Sequence, residues 1–156
     1  MSERRRMPNS TLPYASGPIG SKKSAAQKKR DTERKAREFA RKYGSEERCY
    51  YVATLHCVVP SCTRTGWMEN AHTESGGTGR KADAETIVPA CAKHHRTGAD
   101  SLHNLGRESF QHAHGVDLEI AAAETDVSWL LYGDDVVERA KANGRFDKWK
   151  NRRHAA

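Results

Sequence analysis

Two short pairs of metal-binding residue types constrain the fold of this chain more than any other feature. Cys57 and Cys62 flank a short turn, and Cys91 is followed three residues later by His94 at a predicted helix start. Structural zinc takes four Cys or His ligands at about 2.0–2.3 Å, commonly as two close pairs. The 28 residues between Cys62 and Cys91 are enough for a hairpin that brings the pairs together. We predict a structural Zn²⁺ on these four residues and a free, partly buried thiol at Cys49, rather than small buried thiols beside an incidental histidine.

Length and composition favour one small intracellular domain. The chain has 156 residues, which suits a single domain, and only 36% of them are apolar, so we expect part of the chain to lie outside the packed core. It contains no run of about 18 apolar residues, as a membrane-spanning helix needs, and no apolar segment follows the N-terminal arginines as in a secretory signal. We therefore expect a cytoplasmic protein with no membrane partner, in which cysteines bind metal rather than form disulfides.

Positive charge is concentrated at the two ends of the chain. Residues 1–44 hold 13 Lys and Arg against 4 Asp and Glu, and residues 139–156 hold 7 against 1, whereas residues 45–138 hold 7 against 15. Basic ends are typical of proteins that bind nucleic acid, although solvated tails have the same composition. An aromatic ring beside these cations could stack on unpaired bases. The residues predicted to bind nucleic acid in the two ends are Lys28, Lys29, Arg30, Arg34, Lys148, Trp149 and Lys150.

The distribution of helix formers, breakers and charge divides the chain into four parts. Residues 1–23 have few large apolar groups and are predicted to be a disordered basic tail. Residues 24–44 are predicted to be a basic helix that ends at Gly44. Residues 45–125 form the predicted central domain, and residues 126–156 are predicted to be a C-terminal helix and a basic tail.

Three further histidines are candidates for a separate functional cluster. His95 directly follows His94, and adjacent helical residues point about 100° apart, so His95 is expected to face a different site from the zinc ligand. His72 lies towards the far end of the predicted hairpin, from which it can approach that second site, and His103 follows eight residues after His95. A lone histidine is more often a satisfied polar side chain, but a set of three beside a zinc clamp favours a functional cluster.

The same residues resemble the HNH endonuclease superfamily. The similarity covers residues 48–125 and is greatest with small phage and prophage HNH proteins, a branch that includes a recombinase-dependent nuclease. The matching segments are the Cys57–Cys62 knuckle, Ala71-His72, the Gly-rich run from Gly76 to Asp83, Val88 to His95, and Phe110 to Leu118.

This resemblance implies an α+β fold, in which a small zinc-supported ββα-metal domain with flanking helices grips one catalytic ion. It implies that His72 is the general base, that His95 is a metal ligand on the helix, and that His103 is a second metal or phosphate contact. It also implies Mg²⁺ or Mn²⁺ as the catalytic ion, and we expect Arg80 and Lys81 to contact phosphate. The implied function is a phage-encoded DNA endonuclease or nickase in the cytoplasm of a bacterium or phage-infected host. Its expected partners are DNA, including single-stranded DNA and recombination intermediates, and a recombinase.

Two positions depart from the family pattern. Ala71 stands where the wider superfamily often has an Asp metal ligand, and Thr86 lies near the place of the middle Asn, so Asp83 would have to supply a carboxylate. These departures keep two alternatives open. One is a non-catalytic, zinc-clamped nucleic-acid-binding module, and the other is an adaptor for a recombinase that uses the helix at 24–43.

Overall fold

The computed structural model describes residues 22–74 and 82–154, which form an α+β fold that is mostly helical. One antiparallel sheet of two strands lies among the helices, and no helix in the described ranges is long and apolar enough to cross a membrane. The α-helices are α1 (Ala25–Tyr43), α2 (Glu46–Thr54), α3 (Leu102–Leu105), α4 (Arg107–His114), α5 (Leu118–Ala142) and α6 (Arg145–His154). The strands are β1 (Glu69–His72) and β2 (Ile87–Ala90), a 3₁₀ turn spans Ala84–Thr86, and a π turn spans Lys93–Thr97.

Helix α1 begins and ends where local sequence signals place its ends. The Ser24 hydroxyl accepts a hydrogen bond from the Gln27 backbone N–H, and the Gln27 side chain accepts one from the Ser24 N–H, which forms a capping box. The helix ends at Gly44, whose φ of 77° strains any residue with a side chain. No residue of α1 is buried. The predicted basic helix is therefore confirmed, and it lies on the surface.

The β-hairpin positions both sets of candidate ligands. Strands β1 and β2 pair so that Glu69 lies opposite Ala90 and His72 lies opposite Ile87. All four residues of β2 are buried, and their apolar side chains anchor the hairpin in the core. Because Cys91 directly follows β2, the strand carries it to the same end of the sheet as Glu69.

Two clusters of buried side chains form the core. The first joins the hairpin to α4 and the start of α5, and it includes Val59, Val88, Phe110 and Leu118. The second joins α2 to the end of α5 and to α6. Its buried members are Cys49, Tyr50, Ala53, Val137, Ala140, Phe146 and Trp149.

Helix α5 corrects the predicted division of the chain at residue 125. It runs without interruption from Leu118 to Ala142, and its Asp117 cap accepts hydrogen bonds from two backbone N–H groups in the first turn. Its buried stripe includes Ala122 before the predicted boundary and Val137 after it. One helix therefore contributes to both core clusters, and the C-terminal residues are not a separate part of the fold.

Helix α6 corrects the predicted role of Trp149. That side chain is only 6% exposed, because its ring packs edge-on against Tyr50 at a centroid distance of 5.5 Å and beside Phe146 at 6.0 Å. The aromatic residues of the predicted basic tail have the spacing of one helical face, and that face is in the core. Trp149 is therefore not available to stack on bases.

Candidate metal centre and histidine cavity

The predicted cysteine and histidine pairs come together as a single cluster. One ligand atom from each of Cys57, Cys62, Cys91 and His94 lies within 4.8 Å of all the others. His94 Nδ1 is 3.4 Å from Cys57 Sγ and 3.4 Å from Cys91 Sγ, and the sulphurs of Cys62 and Cys91 are 3.8 Å apart. The cluster could hold a metal ion such as zinc. We call it the Cys₃His cluster.

The distances in the Cys₃His cluster fit tetrahedral zinc. With usual bond lengths, two sulphur ligands lie about 3.8 Å apart, and a sulphur and a nitrogen lie about 3.5 Å apart. Burial raises the pKa of the Cys57 thiol to about 11, so this group stays protonated unless a cation stabilises its thiolate. A divalent ion at the centre would supply that stabilisation, which agrees with the predicted Zn²⁺ site.

Backbone contacts hold the two halves of the Cys₃His cluster together. The loop after α2 carries Cys57 and Cys62, and the Val58 N–H in this loop donates to the carbonyl of Pro89 in β2 at 2.7 Å. The Cys91 N–H points at Cys57 Sγ, 3.4 Å away. The loop is therefore fixed against the end of β2, from which the other two ligands follow.

A second layer of polar groups surrounds His94. Its ring lies 5.2 Å from that of His114, whose Nε2 is 2.8 Å from the carbonyl oxygen of Asp100. Ligand atoms of His94, Asp100 and His114 also lie within 4.8 Å of one another. Asp100 and His114 therefore lie beside the candidate ligand His94, and no motif in the sequence pointed to them.

The three remaining candidate histidines line one cavity of about 690 Å³. His72 enters it from the end of β1, His95 from the π turn, and His103 from α3. His94 and His95 therefore belong to different sites, because His94 faces the cysteine sulphurs and His95 faces the cavity. The other lining residues include Lys42, Tyr43, Asn70, Glu74 and Arg107. We call this space the histidine cavity.

His72 is half-buried and packs beside a threonine that holds its ring. Its Nδ1 lies 3.2 Å from Thr86 Oγ1, and the Thr86 hydroxyl donates its one hydrogen to the Asp83 carbonyl at 2.8 Å. The ring must therefore donate from Nδ1, which leaves Nε2 as the unprotonated nitrogen. Nε2 is buried and makes no hydrogen bond with the described residues. Burial, with the charge of Lys42 next in size, lowers the pKa of His72 to about 4.

His95 is oriented by a carboxylate that the sequence analysis missed. Its Nδ1 lies 2.7 Å from Glu69 Oε2, and Arg96 donates to both oxygens of the same carboxylate at 2.6 and 3.1 Å. Burial acts to raise the pKa of Glu69, but hydrogen bonds from Arg96 and His95 outweigh it and hold the pKa below its usual value. Because an ionised carboxylate only accepts, His95 donates from Nδ1 and keeps a lone pair on Nε2. Burial lowers the pKa of His95 although Glu69 opposes this.

The three histidines share the cavity without forming a tight ligand trio. The rings of His95 and His103 lie 4.6 Å apart, centroid to centroid, and close to perpendicular. Within the described ranges, however, His72, His95 and His103 are not a group whose ligand atoms all lie within 4.8 Å of one another. His95 and His103 are thus neighbours that could share an ion, while His72 stands apart against Thr86.

Several other predicted site residues pair with other groups, are exposed, or fall outside the described residues. Arg80 and Lys81 fall outside the described residues. The Asp83 carboxylate pairs with Arg41, so it does not supply the carboxylate expected near the histidines. Lys150 pairs with Glu46 at 2.7 Å. The exposed predicted cations are Lys28, Lys29, Arg30 and Arg34 on α1 and Lys148 on α6.

None of the protein-family models, curated proteins and solved structures compared with this chain matches it. The chemistry is therefore inferred from the side chains. The histidine cavity offers three imidazoles, two of them with a free Nε2 lone pair, and the nearby cations Lys42 and Arg107. The signal that could have located Glu69 is strand register, because Glu69 lies opposite Ala90, next to the segment that carries Cys91 and the paired histidines.

Proposed function

We propose that this chain is a metal-dependent HNH-type endonuclease or nickase that hydrolyses phosphodiester bonds in DNA. The observation that carries the proposal is the buried, unpartnered Nε2 of His72 in the same cavity as the Glu69–His95 pair and His103. His94 of the Cys₃His cluster directly precedes His95 in the same π turn. A metal ion held by the cluster would therefore stabilise the turn that carries His95. The family resemblance of residues 48–125 favours the same chemistry.

His72 is the proposed general base. Hydrolysis requires that a water molecule lose a proton as it attacks phosphorus, and a neutral imidazole can accept that proton. The pKa of His72, about 4, keeps the ring neutral at physiological pH, and the Thr86 contact at Nδ1 leaves Nε2 as the nitrogen that can accept the proton. The low pKa makes this ring a weaker base than free imidazole, so its contribution depends on position more than on basicity.

His95 and His103 are the residues that would hold a divalent ion such as Mg²⁺ or Mn²⁺. Glu69 orients His95 in the way that carboxylates commonly orient metal-binding imidazoles. A bound ion would act as a Lewis acid that offsets the charge developing on the phosphate and on the leaving oxygen. Lys42 and Arg107 line the same cavity and would contact the phosphate, for which Arg107 would exchange its ion pairs with Glu74 and Glu119.

The test is nicking of supercoiled plasmid by the purified protein in Mg²⁺ or Mn²⁺. We expect His72→Ala to abolish nicking while zinc content stays at the parent value. His112→Ala is the matched control, because His112 is exposed on α4 and lies outside both the histidine cavity and the Cys₃His cluster. If His72→Ala nicks as fast as the parent and the control, His72 is not the base.

A second candidate is a non-catalytic, zinc-clamped nucleic-acid-binding module. It is favoured by the loose arrangement of His72 relative to the other two rings and by the apolar Ala71, which is fully buried in the core. In that case the protein would bind DNA in a salt-dependent way and cleave none with any divalent ion. The plasmid assay and a binding assay on the same sample separate the two candidates.

A further inference from the structure

We propose that a groove between the loop preceding β1 and helix α6 binds one unpaired nucleotide of a strand that continues into the histidine cavity, with its base stacked on Trp67. This inference adds a nucleotide-binding groove to the proposed function. It rests on that function only because it assumes that the ligand is a nucleic acid. The groove has a volume of about 560 Å³. It is lined mainly by Trp67, Met68, Glu69, Trp149, Arg152 and Arg153, and we call it the α6 groove.

The floor of the α6 groove is apolar and fixed. Met68 and Trp149 are only 5% and 6% exposed, so they form a floor that the core supports from behind. Trp67 is half-buried, and its ring lies 5.5 Å from that of Tyr50, which is itself in the core. An indole held in this way loses little freedom when a base stacks on it. Trp67 is therefore held in place and still partly exposed for stacking, whereas Trp149 is buried.

Guanidinium groups surround this floor. Arg152 is exposed and makes no ion pair with the described residues, and Arg153 lies 5.4 Å from the centre of the Trp149 ring. The carboxylate of Glu69 is the acidic group of the groove, and Arg96 and His95 already satisfy it. An aromatic floor with a cationic rim is complementary to a base joined to a phosphate.

The α6 groove adjoins the histidine cavity. Glu69 lines the groove, and its carboxylate binds His95 in the cavity. Arg153 lines the groove and lies 5.7 Å from the ring of Tyr43, which lines the cavity. A strand with one phosphate at the histidines can therefore place a neighbouring base in the groove. Since bases within a duplex are already stacked on both faces, the groove favours an unpaired one.

The test measures binding rather than cleavage. A labelled 12-nucleotide oligo(dT) is titrated with zinc-loaded, full-length protein carrying His72→Ala, and fluorescence anisotropy gives the Kd. We expect Trp67→Leu to weaken binding about 5- to 100-fold and Trp67→Phe to retain most of it, because a phenyl ring still stacks. Arg152→Gln should lower the slope of log K against log salt by about 0.7. Arg139→Gln on α5 is the matched control, since Arg139 is 80% exposed and pairs with Asp135.

Three results would overturn the inference. One is parent-like oligo(dT) binding by both Trp67→Leu and Arg152→Gln, and another is an equal loss of duplex binding in Trp67→Leu. The third is competition by polyglutamate that depends equally on Trp67, which would assign the α6 groove to an acidic protein partner. If Trp67→Leu does not fold, Arg152→Gln still decides the matter, because an unchanged salt slope in that variant overturns the inference. If binding depends on Trp67 but the parent protein does not nick plasmid, the proposed hydrolysis is wrong and the α6 groove is still a nucleotide-binding site.

Discussion

At the scale of single residues, hydrogen-bond partners set the proton positions of two half-buried histidines, His72 and His95. Thr86 holds the proton of His72 on Nδ1, and Glu69 does the same for His95. Both rings therefore present a lone pair on Nε2. In the resemblance to HNH proteins, Thr86 lies near the place of the middle Asn, and here its hydroxyl orients the ring of His72.

Removal of the Thr86 hydroxyl should release the tautomer of His72. We expect Thr86→Val to populate the Nε2–H form and to slow plasmid nicking roughly 10- to 100-fold, as loss of an orienting partner commonly does. Thr86→Ser should restore the Nδ1–H tautomer of His72 and the rate of plasmid nicking. The ¹⁵N chemical shifts of the His72 ring report the tautomer independently of activity, and an unchanged Nδ1–H form in Thr86→Val would contradict the assignment.

The pKa of His72 predicts a loss of stability in mild acid. The unfolded imidazole titrates near 6.5, whereas burial lowers the pKa of the folded ring to about 4. The unfolded state therefore binds a proton first, so stability contributed by the neutral ring is complete above pH 6.5 and is lost as the pH falls towards 4. Urea unfolding between pH 7.5 and 4 should show a smaller loss in His72→Gln than in the parent. Parallel curves would show that the pKa of His72 is unperturbed.

At the scale of secondary-structure elements, sequence signals predicted features set by neighbouring residues. They did not predict features set by packing between distant elements. The ends of α1 and the Cys₃His cluster follow from a capping serine, Gly44 and ligand spacing, all of which are visible in the sequence. Burial of Trp149 and continuity of α5 depend on which side chains face the core, and neither is encoded by spacing alone. Glu69 was missed because its role depends on strand register across the hairpin.

Loss of a cysteine ligand should unfold the hairpin region. We expect Cys57→Ser or Cys91→Ser to reduce zinc from about one ion per chain to near zero and to lower Tm by many degrees, because metal binding stabilises small cores of this kind. Cys49→Ala is the control, since Cys49 is fully buried but lies outside the Cys₃His cluster. Metal analysis and thermal unfolding check the prediction. Parent-like melting of a zinc-free variant would show that the fold does not need the ion.

A buried cation adds an ion pair to the apolar contact between α2 and α5. The side chain of Arg48 is 5% exposed, and its Nη2 donates to Asp126 at 2.9 Å. We expect Asp126→Asn to destabilise the protein by about 2–3 kcal/mol, because it leaves the guanidinium buried without its counter-charge. Chemical denaturation measures the change. Asp135→Asn is the control, because that carboxylate is 80% exposed on the same helix, and equal stability of the two variants would contradict the prediction.

At the scale of the whole molecule, positive charge lies on surface helices around a less basic centre. The predicted DNA contacts at Lys28, Lys29 and Arg30 are exposed on α1, whose last turn brings Lys42 and Tyr43 to the histidine cavity. Helix α1 therefore leads from solvent to the proposed site. DNA held along this helix would be directed towards the three histidines.

Neutralising the exposed start of α1 should weaken DNA binding through charge alone. We expect the triple variant Lys28→Gln, Lys29→Gln, Arg30→Gln to lower the slope of log K against log salt by about 2–3 for duplex DNA. The melting temperature should stay near that of the parent, because no residue of α1 is buried. Titrations at several salt concentrations provide the measurement, and an unchanged slope would favour an adaptor role for this helix.

One peptide bond separates His94, the last ligand of the Cys₃His cluster, from His95, which lines the histidine cavity. His94 and His95 share a single π turn, so the backbone cannot shift at one without shifting at the other. If the Cys₃His cluster holds a metal ion, its removal by a chelator would therefore loosen the hairpin and abolish the proposed hydrolysis together. For the same reason, oxidation of the partly exposed Cys62 thiol would lower the proposed activity, although Cys62 does not line the histidine cavity.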